Sequence, residues 1–309
     1  MYPRSRITSR QSKRFAEKRR NRSLLFYLLI VVCVFSWGFS VSRFTRLSIL
    51  TIYTVNVQGA DEDIINPLQA AAINSIDGDY LGLFSKSNTL IYPKREIIKK
   101  IKEASLKVES IDVHRAGANT LTVIVKEKNP EAIICAALPD FDGNNLSIAD
   151  SENCYFADAN GFIFSEAPLF SGHIYNRYYV PNLPNATTSL DGIVGSYIAS
   201  TSKFSSLQRL YGEMKKEGLN PAAILMNEGG EYELYAQNSI ATAIAPTSLS
   251  ELNDIMVIYF NDKHSFDEQL ANLFSFWNHM MVNKAGKDLP EFEYIDVRYG
   301  TNVFYRTIK

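Results

Sequence analysis

The residues of this chain able to carry chemistry are few, and their spacing argues against a reaction centre. Four histidines, His114, His173, His264 and His279, stand far apart. None has the short spacing that gathers imidazoles around a metal ion. His114 alternates outward on a predicted strand, His279 lies off the apolar face of a predicted helix, and the other two fall in predicted loops. Of the three cysteines, Cys33 sits in an uncharged apolar run, while Cys135 and Cys154 lack a neighbouring histidine and form neither a zinc site nor a redox motif. Those two leave two readings open. They form either a disulfide, closing a loop of about 20 residues and adding about 3 kcal/mol, or two buried thiols. The run Asp140-Phe141-Asp142-Gly143-Asn144-Asn145 begins like a calcium loop, but glycine falls at position four and Ser151 occupies position twelve. A plain turn is the expectation there. Phosphate-binding glycine loops, a dinucleotide fingerprint and a nucleophile elbow are all missing. The chain is therefore expected to be no enzyme and to hold no metal or cofactor.

Charge and hydropathy are more informative. The net charge is -1 over 309 residues, but residues 1–22 hold nine Lys or Arg against the single acid Glu17. That segment is +8 and the rest sums to -9. Between them Leu24 to Val41 contains no charge, and Ser23 and Ser42 extend the uncharged stretch to residues 23–42. At about 1.5 Å of rise per residue, twenty residues just cross a hydrocarbon core of roughly 30 Å. The basic excess on the N-terminal side places residues 1–22 in the cytoplasm and the chain beyond residue 42 outside it. A cleaved signal peptide competes with an uncleaved anchor, since Ser40-Val41-Ser42 loosely imitates a cleavage site. Signal h-regions usually run about 7–15 residues, so the length favours an anchor. The basic tail suits anionic lipid better than nucleic acid, which is not expected as a partner.

The exported part reads as α+β. Tyr53 to Val57 alternates as a half-buried strand ending at Gly59. Asp61, Glu62 and Asp63 suit a helix N-terminus, and Leu68 to Ile76 continues it. Pro93 opens a second helix with Ile97, Ile98, Ile101 and Ala104 on one face. Two more strands come next, carrying Ile111 and Val113, then Leu121, Val123 and Val125, around a turn at Gly117-Ala118-Asn119. Beyond residue 130 the chain is mostly β. A hairpin at 154–164 turns on Asn160-Gly161, expected to supply two positive-φ positions. A helix spans about Lys203 to Glu217; strands are expected at Ala222–Met226, Tyr232–Ala236 and Ile240–Ala245. Ser265 and Glu268 form a capping box opening a helix with Phe266, Leu270, Phe274, Trp277 and Met281 on its apolar face. The chain closes with Ile295 to Tyr299, a turn at Gly300-Thr301-Asn302, and Val303-Phe304-Tyr305.

The strand–helix–helix–strand–strand unit beside a lone anchor, entered by Tyr53-Thr54-Val55-Asn56-Val57-Gln58-Gly59, resembles a POTRA domain of the FtsQ/DivIB type. Four further segments agree in order. Val108 to Arg115 resembles the strand entering that family's turn, and Leu121 to Val125 with Lys126 to Ala132 resembles its exit motif. Tyr155 to Phe164 resembles the hairpin opening its second domain, and Ile295-Asp296-Val297-Arg298 resembles its late strand. Departures are Ala116-Gly117-Ala118 in place of a proline turn, a long segment between the two helices, and the region from about 237 to 290.

The resemblance implies a basic cytoplasmic tail (1–22), a transmembrane helix (23–42), a POTRA domain (48–130) and a β-rich extracytoplasmic domain (131–309). It implies a scaffold in the plasma membrane at the division site. Such a scaffold holds other single-pass division proteins of the FtsB/FtsL or DivIC type and helps coordinate septal wall synthesis. A terminal strand left at a sheet edge can accept a partner strand through its unpaired backbone groups. Val303, Phe304 and Tyr305 are the expected docking residues. A POTRA-bearing chaperone or secretion component is the alternative, and an extracytoplasmic enzyme a third reading that no motif favours.

Overall fold

The computed structural model describes residues 9–136, 140–142, 145–147, 154–168, 174–181, 192–237, 255–283 and 290–308. It is α+β, with one apolar N-terminal helix and two compact units, Met1–Glu127 and Lys128–Lys309. The first helix, α1 (Ser9–Thr45), is continuous, so the basic segment from Ser9 onward is helical up to the apolar run. Leu25–Thr45 is long and apolar enough to cross a membrane, and apart from Thr45 at its end none of its side chains is buried. The apolar helix thus ends a few residues beyond the expected residue 42, where Arg43 is carried as the basic residue of the last turn.

After a 3₁₀ turn (Ser48–Leu50), the first unit contains β1 (Thr54–Gln58), α2 (Glu62–Ile76), the short strands β2 (Asp79–Tyr80) and β3 (Phe84–Ser85), α3 (Lys94–Ala104), β4 (Val108–Arg115) and β5 (Thr120–Glu127). The sheet order is β1-β5-β4, with β1 parallel to β5 and β4 antiparallel to it. The register sets Val55 opposite Leu121, and Val57 and Val113 opposite Val123. Alternation therefore collects apolar side chains on one face. There they form one core with Ile64, Leu68 and Ala72 of α2 and Ile97 and Ile101 of α3. Both helices cover the same face. Pro93 precedes α3 as its N-cap rather than lying inside its first turn. Gly59 ends β1 at φ +82°, and a Cβ there would sit 2.4 Å from the Val125 carbonyl oxygen. Only glycine fits that position.

The second unit is built on a nine-stranded sheet. Its strands are β6 (Ala132–Cys135), β9 (Cys154–Ala157), β10 (Ile163–Glu166), β11 (Asn176–Tyr179), β12 (Asn220–Asn227), β13 (Glu231–Gln237), β14 (Ile255–Asn261), β15 (Phe292–Tyr299) and β16 (Asn302–Thr307). The order is β10-β9-β6-β11-β12-β13-β14-β15-β16. A separate two-stranded ladder joins β7 (Asp140–Asp142) to β8 (Asn145–Ser147), pairing Asp142 with Asn145. Gly143 and Asn144, where the turn of the calcium-like run is expected, lie outside the described residues. Helices α4 (Thr201–Lys216) and α5 (Phe266–Asn283) are the crossovers of two βαβ units, β11-α4-β12 and β14-α5-β15, whose strand pairs are parallel.

Both faces of this sheet are apolar. Ile134, Ile224, Leu234, Ile258 and Ile295 pack with Phe204, Leu207, Tyr211 and Met214 of α4 and with Leu270, Leu273 and Trp277 of α5. Ile133, Cys135, Leu225, Tyr235, Ile255 and Val257 form a cluster on the other face.

The structure corrects three local expectations. The strand at Ile255–Asn261 has no counterpart in the sequence reading, because burial on both faces removes the alternation that marks a strand. Leu273 joins the buried face of α5, beyond the residues expected there. In the 154–166 hairpin only Gly161 has positive φ, not Asn160. The Asp158 carboxylate instead accepts the backbone N–H groups of Asn160 and Phe162, and Gly161 donates to the Asp158 carbonyl. This side-chain-closed turn replaces the two-residue type I′ turn. The expected strand Ile240–Ala245, His173 and Ser151 lie outside the described residues.

Candidate partner-binding edge

The geometry of the C-terminal edge starts from the α5 start. Asn261, at the end of β14, is buried, and its backbone N–H donates to the Gln269 side-chain oxygen at 3.0 Å while the Gln269 amide donates back to the Asn261 carbonyl at 2.8 Å. This exchange seats α5 over the sheet. One turn later Asn272 donates to the Gly300 carbonyl at 2.6 Å, fixing the β15–β16 turn, where Gly300 has φ +64°. The strand β16 then runs back along β15, pairing Phe304 with Asp296 and Tyr305 with Ile295, and Ile308 donates to the Glu291 carbonyl.

Among the described residues β16 has no neighbour on its outer side and ends the sheet. Its three predicted docking residues differ in role. Val303 is half-buried and packs on the core. Tyr305 is 48% exposed, with its ring 5.0 Å from Phe276 and 5.8 Å from Phe292. Phe304 is 52% exposed and meets Tyr299 edge-on at 5.5 Å. Two exposed aromatics on an open edge provide main-chain donors and acceptors plus flat apolar anchors.

A charge network on the other side of β15 carries no sequence signal of its own, although its arginine closes the Ile295-Asp296-Val297-Arg298 motif. The Arg298 guanidinium donates to both Asp296 oxygens at 2.9 and 2.6 Å, and to Glu231 of β13 at 2.6 Å. It also lies 4.9 Å over the Tyr259 ring. Hydrogen bonding from Arg298 holds the Glu231 carboxyl below its ordinary range, helped by Lys263. Bidentate pairing and ring stacking suit arginine and not lysine. The cluster ties β13 and β15 together across β14.

Cys135 and Cys154 are cross-strand neighbours of β6 and β9 and are joined by a disulfide. Cys135 is fully buried and Cys33 is free. The Cα atoms of Cys135 and Cys154 lie 4.3 Å apart, the close spacing of a non-hydrogen-bonded antiparallel pair. Consistently, their carbonyls accept elsewhere, from Val180 and Ala167.

Chemistry-bearing side chains are not gathered. His114 sits on the exposed face of β4, 3.6 Å from Asp112, and His264 and His279 are exposed on separate elements. Among the described residues no group of three metal-ligating side chains occurs. A cleft of about 420 Å³ is lined by Val180, Ile198, Lys203, Met226 and Tyr232. Lys203 pairs with Asp262 at 2.8 Å, and that bond raises its pKa. A lysine held protonated is a fixed cation, not an amine nucleophile. No protein-family model matches the chain, and no curated protein matches it.

Proposed function

We propose that this protein is a membrane-anchored division scaffold of the FtsQ/DivIB kind. In this reading the first unit is a POTRA domain and the terminal strand captures another single-pass division protein of the FtsB/FtsL or DivIC type outside the plasma membrane. The observation that carries the proposal is the open β16 edge bearing exposed Phe304 and Tyr305. The fold of the first unit supports it. Its three-stranded sheet and two helices follow in the order β-α-α-β-β once the separate β2–β3 ladder between the helices is set aside, with both helices on one sheet face, after one membrane-length helix. Capture works by strand addition, in which backbone hydrogen bonds supply affinity and the two rings select the partner side chains. The basic tail stays in the cytoplasm and contacts anionic lipid.

Deleting everything after Arg298 is too blunt a test. It would strip Tyr305 from Phe276 and Phe292 and expose the core beneath Val303. Phe304→Asp removes an exposed ring that meets only Tyr299 among the described aromatic pairs, and should leave the fold intact. A fluorescent fusion of the natural chain should form midcell rings, and a photo-crosslinker at Asn302, exposed on the same strand, should trap a small single-pass protein. Phe304→Asp should lose both. A uniform rim of fluorescence, or unchanged capture by Phe304→Asp, would overturn the proposal and leave a chaperone or secretion role as the better reading.

A further inference from the structure

The apolar helix passes into the first unit without a linker. Thr45 ends α1, Ser48–Leu50 form a 3₁₀ turn, and β1 begins at Thr54. The segment between α2 and α3 is fastened to this exit at four points. The Asn88 amide, itself buried, donates to the Thr45 carbonyl at 2.8 Å, and Arg46 pairs with Asp79 at 2.9 Å. The backbone N–H of Thr89 donates to the Leu50 carbonyl, and that of Ile52 to the Ser87 carbonyl, each at 2.8 Å. Residues 79–89 are thus held at the level where the membrane-length helix ends.

At that level the fold leaves large apolar side chains uncovered. Leu81 is 94% exposed, Ile49 67% and Leu90 64%, and Leu47, Leu83 and Ile91 are exposed as well. Leu81 also has φ +53°, the one non-glycine residue with positive φ among the described residues. Its neighbours Gly78 and Gly82 adopt positive φ at no steric cost, whereas a leucine there is strained by about 1–2 kcal/mol. The chain therefore holds the most exposed leucine among the described residues at the tip of a turn in a conformation that leucine disfavours. Beside it Lys86 lies over the Tyr80 ring at 5.9 Å, and Arg43 lies over Phe39 at 5.3 Å. Aromatic rings with neighbouring cations are the composition of a membrane–water interface.

We propose that the β2–β3 tip, with Ile49 and Leu90, is a second membrane contact. It lies in the headgroup zone of the leaflet where α1 exits and so fixes the tilt of the first unit on the bilayer. The occupant of this apolar surface is lipid, because the surface continues from the membrane-length helix. The headgroup zone, about 5–8 Å deep on each side, begins where that helix ends. The proposal rests on Leu25–Thr45 spanning the bilayer, and is independent of any division partner.

The test uses the full chain, with its disulfide kept oxidised, in phosphatidylcholine–phosphatidylglycerol vesicles at about one protein per vesicle. An NBD fluorophore is placed at Leu81→Cys, Leu90→Cys or Glu109→Cys in a Cys33→Ala background, and on native Cys33 in the natural chain. Glu109 lies at the far end of β4, six residues or about 20 Å from Arg115, whose end of the strand leads to the turn that bonds Ser48. The probes at 81 and 90 should show blue-shifted emission and lose most of it to headgroup-level nitroxide lipids while resisting aqueous iodide. The probe at 109 should behave oppositely. Probes at 81 and 90 that match the one at 109 would overturn the proposal. If Cys33 also escapes acyl-chain nitroxides, the spanning helix falls with it; if Cys33 is quenched, only the tip contact falls.

Discussion

Reducing the Cys135–Cys154 disulfide should destabilise the second unit by an amount that its loop length sets. The cysteines are 19 residues apart, and closing a loop of that size removes about 3 kcal/mol of chain entropy from the unfolded state. The unit runs from Lys128 to Lys309, and for domains of about 150–250 residues 1 kcal/mol moves the midpoint by about 2–4 °C. The thermal midpoint should therefore fall by about 6–12 °C. Comparing oxidised with reduced natural chain avoids the cavity that an alanine pair would open beside fully buried Cys135. Trp277 is buried between α5 and the sheet, so its fluorescence in the detergent-solubilised chain reports on this unit. Alkylation in denaturant checks the starting state: only Cys33 should react before reduction, and all three cysteines after it. A midpoint shift below about 2 °C, with that alkylation pattern confirmed, would refute the loop-entropy reasoning. Three reactive cysteines in freshly isolated, unreduced chain would refute the bond itself, and with it the oxidising side of the membrane proposed for this unit.

Other outcomes hinge on single side chains. Tyr178 has a fully buried hydroxyl with no hydrogen-bond partner among the described residues, and burial pushes its pKa well up. Tyr178→Phe should therefore stabilise the second unit by about 1 kcal/mol, read as a higher urea midpoint; destabilisation would mean that the hydroxyl is satisfied. Glu231 has a depressed pKa because Arg298 donates to it. A depressed carboxyl contributes stability that is complete above the unfolded value of 4.5 and is lost as pH falls through the folded one. Glu231→Gln should thus be less stable than the natural chain at neutral pH and converge on it as pH falls from 4.5 through the depressed folded value, as acid titration of the unfolding midpoint would show. Gly59→Ala must place a methyl against the Val125 carbonyl at positive φ, and should cost the first unit about 2 kcal/mol or more. Proteolysis of the β1–α2 region would report it.

Much of the first unit is legible in the sequence because its sheet is apolar on one face only. Val55 and Val57 alternate with polar residues, Leu121, Val123 and Val125 do so apart from exposed Ile124, and Ile97 and Ile101 recur at helical spacing. The membrane-length helix is legible for a simpler reason: twenty residues without charge need no partner to be recognised. The second unit hides one interior strand, β14, because Ile255 to Phe260 is apolar throughout, and a run buried on both faces carries no period. The order of nine strands is a matter of which distant segments pair, and no local pattern encodes that. The same holds for the three particulars that bear on function. Whether Val303 to Tyr305 end a sheet, whether Arg298 meets Glu231 across an intervening strand, and whether Leu81 lies at the exit of α1 depend on contacts between residues remote in the chain. Composition and spacing determined the membrane-length helix, the charge asymmetry and most of the elements. Long-range pairing alone decided which edge stays open, which charges meet and which leucines the fold leaves uncovered.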